Sequence, residues 1–125
     1  MVFDDSTVIN ASYYSDIQEL YMISDMLITD YSSVIFDFLL LERPSLLYAS
    51  DVNKYRTERD YYFSFDELPF KLCENNDELE KCIDEFDENE YKDAIKGFKD
   101  CHGFCDSGIA SKSAAQWILS KISEV

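Results

Sequence analysis

Residues 28–38, ITDYSSVIFDF, decide the fold, because they join a buried strand to a helix through a tight polar turn. The apolar run Met26–Thr29 is typical of a strand that is buried on both faces. The turn Asp30–Ser33 carries side chains that commonly cap helices. Val34–Glu42 is then predicted as a strongly apolar helix, which Pro44 stops.

Strands and helices alternate on both sides of this stretch. Thr7–Ala11 is predicted as a short strand, Asp16–Ile23 as a helix with an acidic start, and Ser45–Ala49 as a further strand. Short connections between such elements favour a β-α-β-α-β order, with at least three parallel strands before Ser50. The predicted fold class is therefore α/β, a three-layer Rossmann-like parallel sheet.

The second half of the chain continues this pattern after an irregular aromatic loop. A fourth short strand is predicted at Phe70–Cys73. Three helices are predicted to follow, at residues 76–86, at 88–98 and from about 107 to 122. Trp117, Ile118 and Ile122 give the last helix an apolar face, which we expect to pack on the sheet.

Composition excludes several classes of function. The chain has 125 residues, 46% of them hydrophobic, which suits one domain with a real core. Its net charge of −15 argues against binding to nucleic acid and against adhesion of this segment to an anionic membrane. From the sequence we expect neither a transmembrane helix nor a signal peptide in this segment. Four cysteines and one histidine match no zinc spacing, so we expect reduced thiols and no metal or cofactor.

The turn at the end of the central strand has the chemistry of an anion site. Backbone N–H groups at a helix start lack internal partners, and open α/β sheets bind ligands at the carboxyl ends of their strands. Ser32 and Ser33 add hydroxyl donors for a phosphate, while Asp37, one helical turn later, suits the hydroxyls of a sugar or glycerol. Helix capping explains the same residues without any ligand, so both interpretations stay open here.

The stretch at 27–37, LITDYSSVIFD, closely resembles the signature of the CDP-glycerol glycerophosphotransferase family. Pro44 with its following strand, then Asp51–Tyr55, Tyr61–Phe63 and Asp106–Ser111, follow the order of the family. Two departures are Asp60, where the family often has glycine, and Ser107, which is inserted before Gly108.

The resemblance implies the C-terminal half of a GT-B-like enzyme, with residues 1–125 as a fragment of the nucleotide-donor-binding domain. It implies that Ser32, Ser33 and Asp37 bind CDP-glycerol. The family's catalytic histidine and further basic residues lie upstream of this segment, and the lone His102 does not match them. No catalytic residue is therefore predicted in this chain, and the isolated fragment is expected to be inactive.

The resemblance also implies an activity, partners and a location. The full-length enzyme would transfer glycerol phosphate from CDP-glycerol to an acceptor hydroxyl and release CMP, in the synthesis of teichoic acid or a related surface polymer. CDP-ribitol is an alternative donor, and the acceptor would be a lipid-linked polyol phosphate. The enzyme is expected in the cytoplasm, peripheral on the inner face of the bacterial membrane.

Two further questions stay open from the sequence. A receiver-like or protein-interaction α/β domain is an alternative, in which Asp30 would take the place of the phosphorylated aspartate. Paired acids are missing after the first predicted strand, where Asn10 and Ala11 stand, which disfavours it. Arg56 and Arg59 suit either the donor diphosphate or ion pairs with nearby acids.

Overall fold

A three-stranded parallel sheet organises the domain. The structure, a computed structural model, describes residues 7–52, 63–104 and 107–123. The strands are β1 (Leu27–Thr29), β2 (Ser45–Tyr48) and β3 (Lys71–Cys73), in the order β1-β2-β3. Both neighbouring pairs are parallel, with Ile28 opposite Leu46 and Leu47 opposite Leu72. The parallel α/β class and the strand near residue 70 are therefore confirmed.

Five helices and one short 3-10 turn surround these strands in the described ranges. They are α1 (Ile17–Ile23), α2 (Val34–Leu39), a 3-10 turn (Phe65–Glu67), α3 (Asn76–Asp84), α4 (Glu88–His102) and α5 (Ala110–Ser123). Polar caps set three of the starts, because Asp16, Asn75 and Asp87 each accept a backbone N–H of the first turn. Helix α4 ends at Gly103, whose φ of 67° suits glycine.

The core lies on both faces of β2, which makes the domain three-layered. On one face, α2 and α4 pack with Leu47 in a cluster of buried apolar side chains that comprises Ile35, Leu39, Leu47, Phe70, Tyr91, Ile95 and Phe98. On the other face, Leu46 is fully buried, and Cys82 of α3 reaches the fully buried Cys73 of β3. Of the three strands, only β2 is buried along most of its length. The prediction that Met26–Thr29 is buried on both faces is wrong, because Ile28 of β1 is 44% exposed.

Two predictions for the first 42 residues are wrong, one of a strand and one of the end of a helix. Thr7–Ala11 is not a strand, and Ile9 is 90% exposed. A strand needs a neighbour for its backbone N–H and C=O groups, and none lies beside this segment in the described residues. Between residues 7 and 50, β1 and β2 are therefore the only strands, rather than the three predicted. Helix α2 ends at Leu39 rather than at Glu42, since the chain tightens into i→i+3 bonds and Glu42 adopts a φ of 55°.

The predicted packing of the last helix on the sheet is also wrong. In α5, Trp117 is 65% exposed and Ile122 is 66% exposed, and Ile118 is half exposed. The sequence pattern identified an apolar face correctly, but in the described residues no side chain of α5 belongs to the buried core cluster. Within those residues, no helix combines the length and apolar character that a membrane span requires.

Cys73 is buried and Cys101 is exposed, so the two thiols should react at different rates. This difference gives a first test of the packing. Desolvation, with a smaller contribution from a hydrogen bond to Cys82, raises the pKa of Cys73 to about 12. Cys101 on α4 is exposed. We expect a thiolate-directed reagent at pH 8 to modify Cys101 about 100-fold or more faster than Cys73 in the native protein.

Site-resolved peptide mass spectrometry after timed labelling with iodoacetamide measures both rates. Adding urea to the unfolding range is the control, because the two thiols should then react at similar rates. Equal rates in the native protein would contradict the burial of Cys73.

Candidate functional site

The turn between β1 and α2 is held by its own hydrogen bonds. Asp30 Oδ1 accepts the backbone N–H of Ser32 at 3.1 Å, and Ser32 Oγ lies 3.5 Å from the backbone nitrogen of Val34. The Ser32 carbonyl accepts the N–H of Ile35 at 3.4 Å. Of the backbone N–H groups that were expected to be free here, that of Ser32 is therefore occupied by Asp30.

Ser33 is the N-cap of α2, but its side chain does not cap the helix. Its backbone has φ −63° and ψ −10°, already helical, and its hydroxyl makes no capping hydrogen bond. A serine that caps would have extended backbone angles and would accept an N–H of the first turn. Capping therefore accounts for Ser32 in part, but it does not account for the exposed hydroxyl of Ser33.

A crevice of about 160 Å³ opens beside the turn, at the carboxyl ends of the strands. The turn supplies the polar wall, and the start of α2, β2 and the segment around the 3-10 turn supply apolar side chains. The lining residues are Asp30, Tyr31, Ser32, Ser33, Ile35, Phe36, Leu47, Phe63, Phe65 and Leu68. The arrangement brings two serine hydroxyls to the rim of an aromatic-walled cleft.

Asp37 is separate from this crevice. It is exposed on α2 and does not line the cleft. Its negative charge acts instead on Tyr21 of α1: burial, and then the charge of Asp37, raises the pKa of Tyr21. Ser32 and Ser33 thus lie together at the cleft, while Asp37 lies on the side of α2 that faces α1.

The structure adds one pair of residues that the sequence pattern did not single out. The Tyr31 hydroxyl donates a hydrogen bond to Asp51 Oδ1 at 2.7 Å, which links the turn after β1 to the loop after β2. The two residues are 20 positions apart, so no local pattern could have predicted the contact. Arg56 and Arg59, and the aromatic Tyr61 and Tyr62, lie outside the described residues.

The lone histidine and a second cavity carry none of this chemistry. His102 ends α4, and its ring packs against Phe63 and Phe98 with centroid distances of 4.7 and 4.5 Å. A cavity of about 190 Å³ is lined by Ser45 and Lys71, the first residues of β2 and β3, together with Tyr91 and other residues outside the turn. Burial raises the pKa of Tyr91 to about 12, so its hydroxyl is protonated at neutral pH. The described residues contain no cluster of three or more potential metal ligands.

Comparison with known proteins agrees with this geometry. The chain is 42% identical over 119 residues to a teichoic acid glycerol-phosphate transferase of Staphylococcus aureus, covering 92% of this chain and 31% of that protein. It is 40% identical over 112 residues to a teichoic acid poly(glycerol phosphate) polymerase of Bacillus subtilis, covering 86% of this chain and 15% of that protein. The chain thus spans under a third of the length of these relatives.

A solved structure shows the same fold. The wall teichoic acid polymerase TagF, in a variant soaked with CDPG for 30 minutes, superposes with a TM-score of 0.73 at 37% identity. The match covers 93% of this chain and 30% of that chain. Residues 4–120 match the family described as CDP-glycerol:poly(glycerophosphate) glycerophosphotransferase. With its sequence motif, parallel sheet and relatives in agreement, the chain belongs to the CDP-glycerol:poly(glycerophosphate) glycerophosphotransferase family.

Proposed function

We propose that residues 1–125 are the donor-binding part, within the C-terminal half, of a full-length GT-B-like glycerophosphotransferase. The enzyme transfers glycerol phosphate from CDP-glycerol to an acceptor hydroxyl in the synthesis of teichoic acid or a related polymer. Family membership supports this reaction class. The observation that carries the site assignment is the exposed, non-capping hydroxyl of Ser33 beside Ser32 at the strand-end crevice. Because the chain belongs to this family, we do not retain the receiver-like domain as an alternative.

The chemistry assigns this chain to binding and charge stabilisation. An acceptor hydroxyl oxygen attacks the β-phosphorus of the donor, the bond from that phosphorus to the CMP oxygen breaks, and CMP leaves with the electron pair. The acceptor's proton passes to a base outside this chain. Ser32 and Ser33 donate hydrogen bonds to diphosphate oxygens, where negative charge develops as CMP departs. Asp37, exposed on α2 outside the crevice, accepts hydrogen bonds from the hydroxyls of a donor glycerol group that extends beyond the crevice.

The charge of the chain sets what the rest of the enzyme must add. With 26 acidic and 11 basic residues, the long-range field repels a diphosphate. Asp30 lines the crevice itself, although one of its oxygens is occupied by the Ser32 N–H. Beyond the open candidates Arg56 and Arg59, cationic partners for the donor are therefore supplied by the remaining part of the full-length protein.

The donor and acceptor follow from the same reaction class. CDP-glycerol is the proposed donor with CDP-ribitol as the alternative, and a lipid-linked polyol phosphate is the acceptor. An acceptor of that kind places the enzyme in the cytoplasm, peripheral on the inner membrane face. Rates of CMP release by the full-length enzyme with each donor, at equal concentrations and with one lipid-linked acceptor, test the proposal. Release from neither donor would refute it.

The isolated 125-residue chain is expected to release no CMP, because the proposed base and cationic partners lie outside it. Its affinity for CDP-glycerol should be millimolar or weaker, a binding free energy of about −4 kcal/mol. Isothermal titration calorimetry and a coupled CMP assay measure the two quantities, with the full-length enzyme as the positive control. Turnover by the chain alone would contradict the assignment of the base to another part of the protein.

A further inference from the structure

We propose that Tyr31 and Asp51 form a positioning pair, which holds the serine turn in the geometry that binds the donor. This inference rests on the proposed function. The observation behind it is the 2.7 Å hydrogen bond from the Tyr31 hydroxyl to Asp51 Oδ1, between two loops that both follow strands of the sheet. Tyr31 is bonded directly to Ser32 in the chain and lines the same crevice.

Asp51 can hold the Tyr31 hydroxyl in place because residues close to it in the chain are buried and bonded to the sheet. Ala49, two residues before it, and Val52, directly after it, are 3% and 1% exposed. The Ala49 N–H donates to the Cys73 carbonyl at 2.9 Å, which continues the pairing of β2 with β3, and the Val52 N–H bonds the Ala49 carbonyl at 3.4 Å. The carboxylate is exposed to solvent, but the chain that carries it is tied to the sheet.

Tyr31 transmits this anchor to the turn. Its ring packs edge-on against Phe65 at a centroid distance of 6.1 Å, and its hydroxyl reaches Asp51. Contacts at the ring and at the hydroxyl restrict the side chain, and therefore the backbone on which Ser32 and Ser33 stand. Asp30 restrains the same turn by accepting the Ser32 N–H. Two hydrogen bonds, one to Asp30 and one to Asp51, therefore fix the conformation of the turn.

The pair also reduces an electrostatic problem. A carboxylate beside a diphosphate site repels the ligand, and the domain is strongly acidic. In this geometry one oxygen of Asp51 accepts the tyrosine hydroxyl, as one oxygen of Asp30 accepts a backbone N–H. Both carboxylates serve as acceptors that shape the turn, so neither is assigned a contact with the donor.

The test is a double-mutant cycle in the full-length enzyme, with steady-state CMP release measured at varied CDP-glycerol. We expect Tyr31→Phe and Asp51→Ala each to lower kcat/KM by about threefold to tenfold, mainly through KM, as the loss of one hydrogen bond requires. The kcat/KM of the double variant should be no lower than that of the less active single variant, because both substitutions break the same bond. Asp51→Asn should retain most of the activity, since its amide oxygen can still accept the hydroxyl.

Tyr48→Phe is the matched control. Tyr48 ends β2, and its hydroxyl donates to Asn76 Oδ1 at 2.8 Å, a bond of the same kind away from the crevice. Its donor KM should stay within about twofold of the unaltered enzyme. If Tyr31→Phe changes the donor KM no more than Tyr48→Phe does, or if the two losses multiply in the double variant, the positioning pair is overturned.

The same assay separates this inference from the function on which it rests. Unaltered full-length protein that releases CMP from neither CDP-glycerol nor CDP-ribitol refutes the transferase proposal, and the pair with it. If the unaltered enzyme turns over normally and substitutions at Tyr31 and Asp51 leave the donor KM unchanged, only the proposal of the positioning pair is refuted.

Discussion

Replacing Ser32 and Ser33 together by alanine should lower kcat/KM of the full-length enzyme for CDP-glycerol by about tenfold or more. Hydrogen bonds to a charged diphosphate contribute about 1.5–3 kcal/mol each, and the loss of one such bond already gives this effect. Initial rates of CMP release at varied donor concentration measure the change. The fold should survive, because Ser33 makes no capping hydrogen bond and the capping contact of Ser32 is long, at 3.5 Å.

A second pair of serines provides the control for this double substitution. Ser120 and Ser123 on α5 bond only carbonyls of their own helix among the described contacts, those of Trp117 and Leu119. Alanine at both should leave donor kinetics unchanged. Normal donor kinetics in the Ser32→Ala and Ser33→Ala enzyme would show that these hydroxyls are structural, and the proposed donor site would then be wrong.

Leu39→Ala should destabilise the domain by about 2–5 kcal/mol, which is a large part of the roughly 5–15 kcal/mol that stabilises a typical domain. Leu39 is 0% exposed and belongs to the core cluster of α2, β2 and α4. Removing its side chain loses the transfer free energy and leaves a cavity in that cluster. Urea denaturation of the 125-residue chain, followed by circular dichroism, measures the free energy of unfolding.

The next residue is the matched control for this change. Leu40 is 43% exposed at the C-cap of α2, so Leu40→Ala should cost less than about 1 kcal/mol. Equal costs at the two leucines would mean that α2 does not bury the face described here, and the position of Ser33 at its start would lose its support.

The elements that the sequence predicted correctly are those decided by neighbouring residues. The apolar run that becomes β1, the polar turn before α2 and Pro44 before β2 all act within a few positions. The family signature lies in the same stretch, so the local pattern of residues is enough to place the serines at a strand-end turn.

The elements that were missed depend on distant partners. Thr7–Ala11 has the composition of a strand, but composition supplies no neighbouring strand. The apolar face of α5 was predicted correctly as a pattern, and its burial was not, because burial depends on what packs against it. The bond between Tyr31 and Asp51 was invisible for the same reason, since only the register of β1 beside β2 brings the two loops together.

The order of the strands has a consequence for folding during synthesis. Because the sheet order is β1-β2-β3, each strand pairs with the strand that the ribosome made just before it. The apolar cover arrives late, since Ile95 and Phe98 of α4 close over Leu47 of β2. At roughly 5–20 residues per second, the nascent sheet exposes that face for several seconds. During this interval the chain is most open to chaperones and to aggregation, and the serine turn is complete in sequence before the core beneath it has closed.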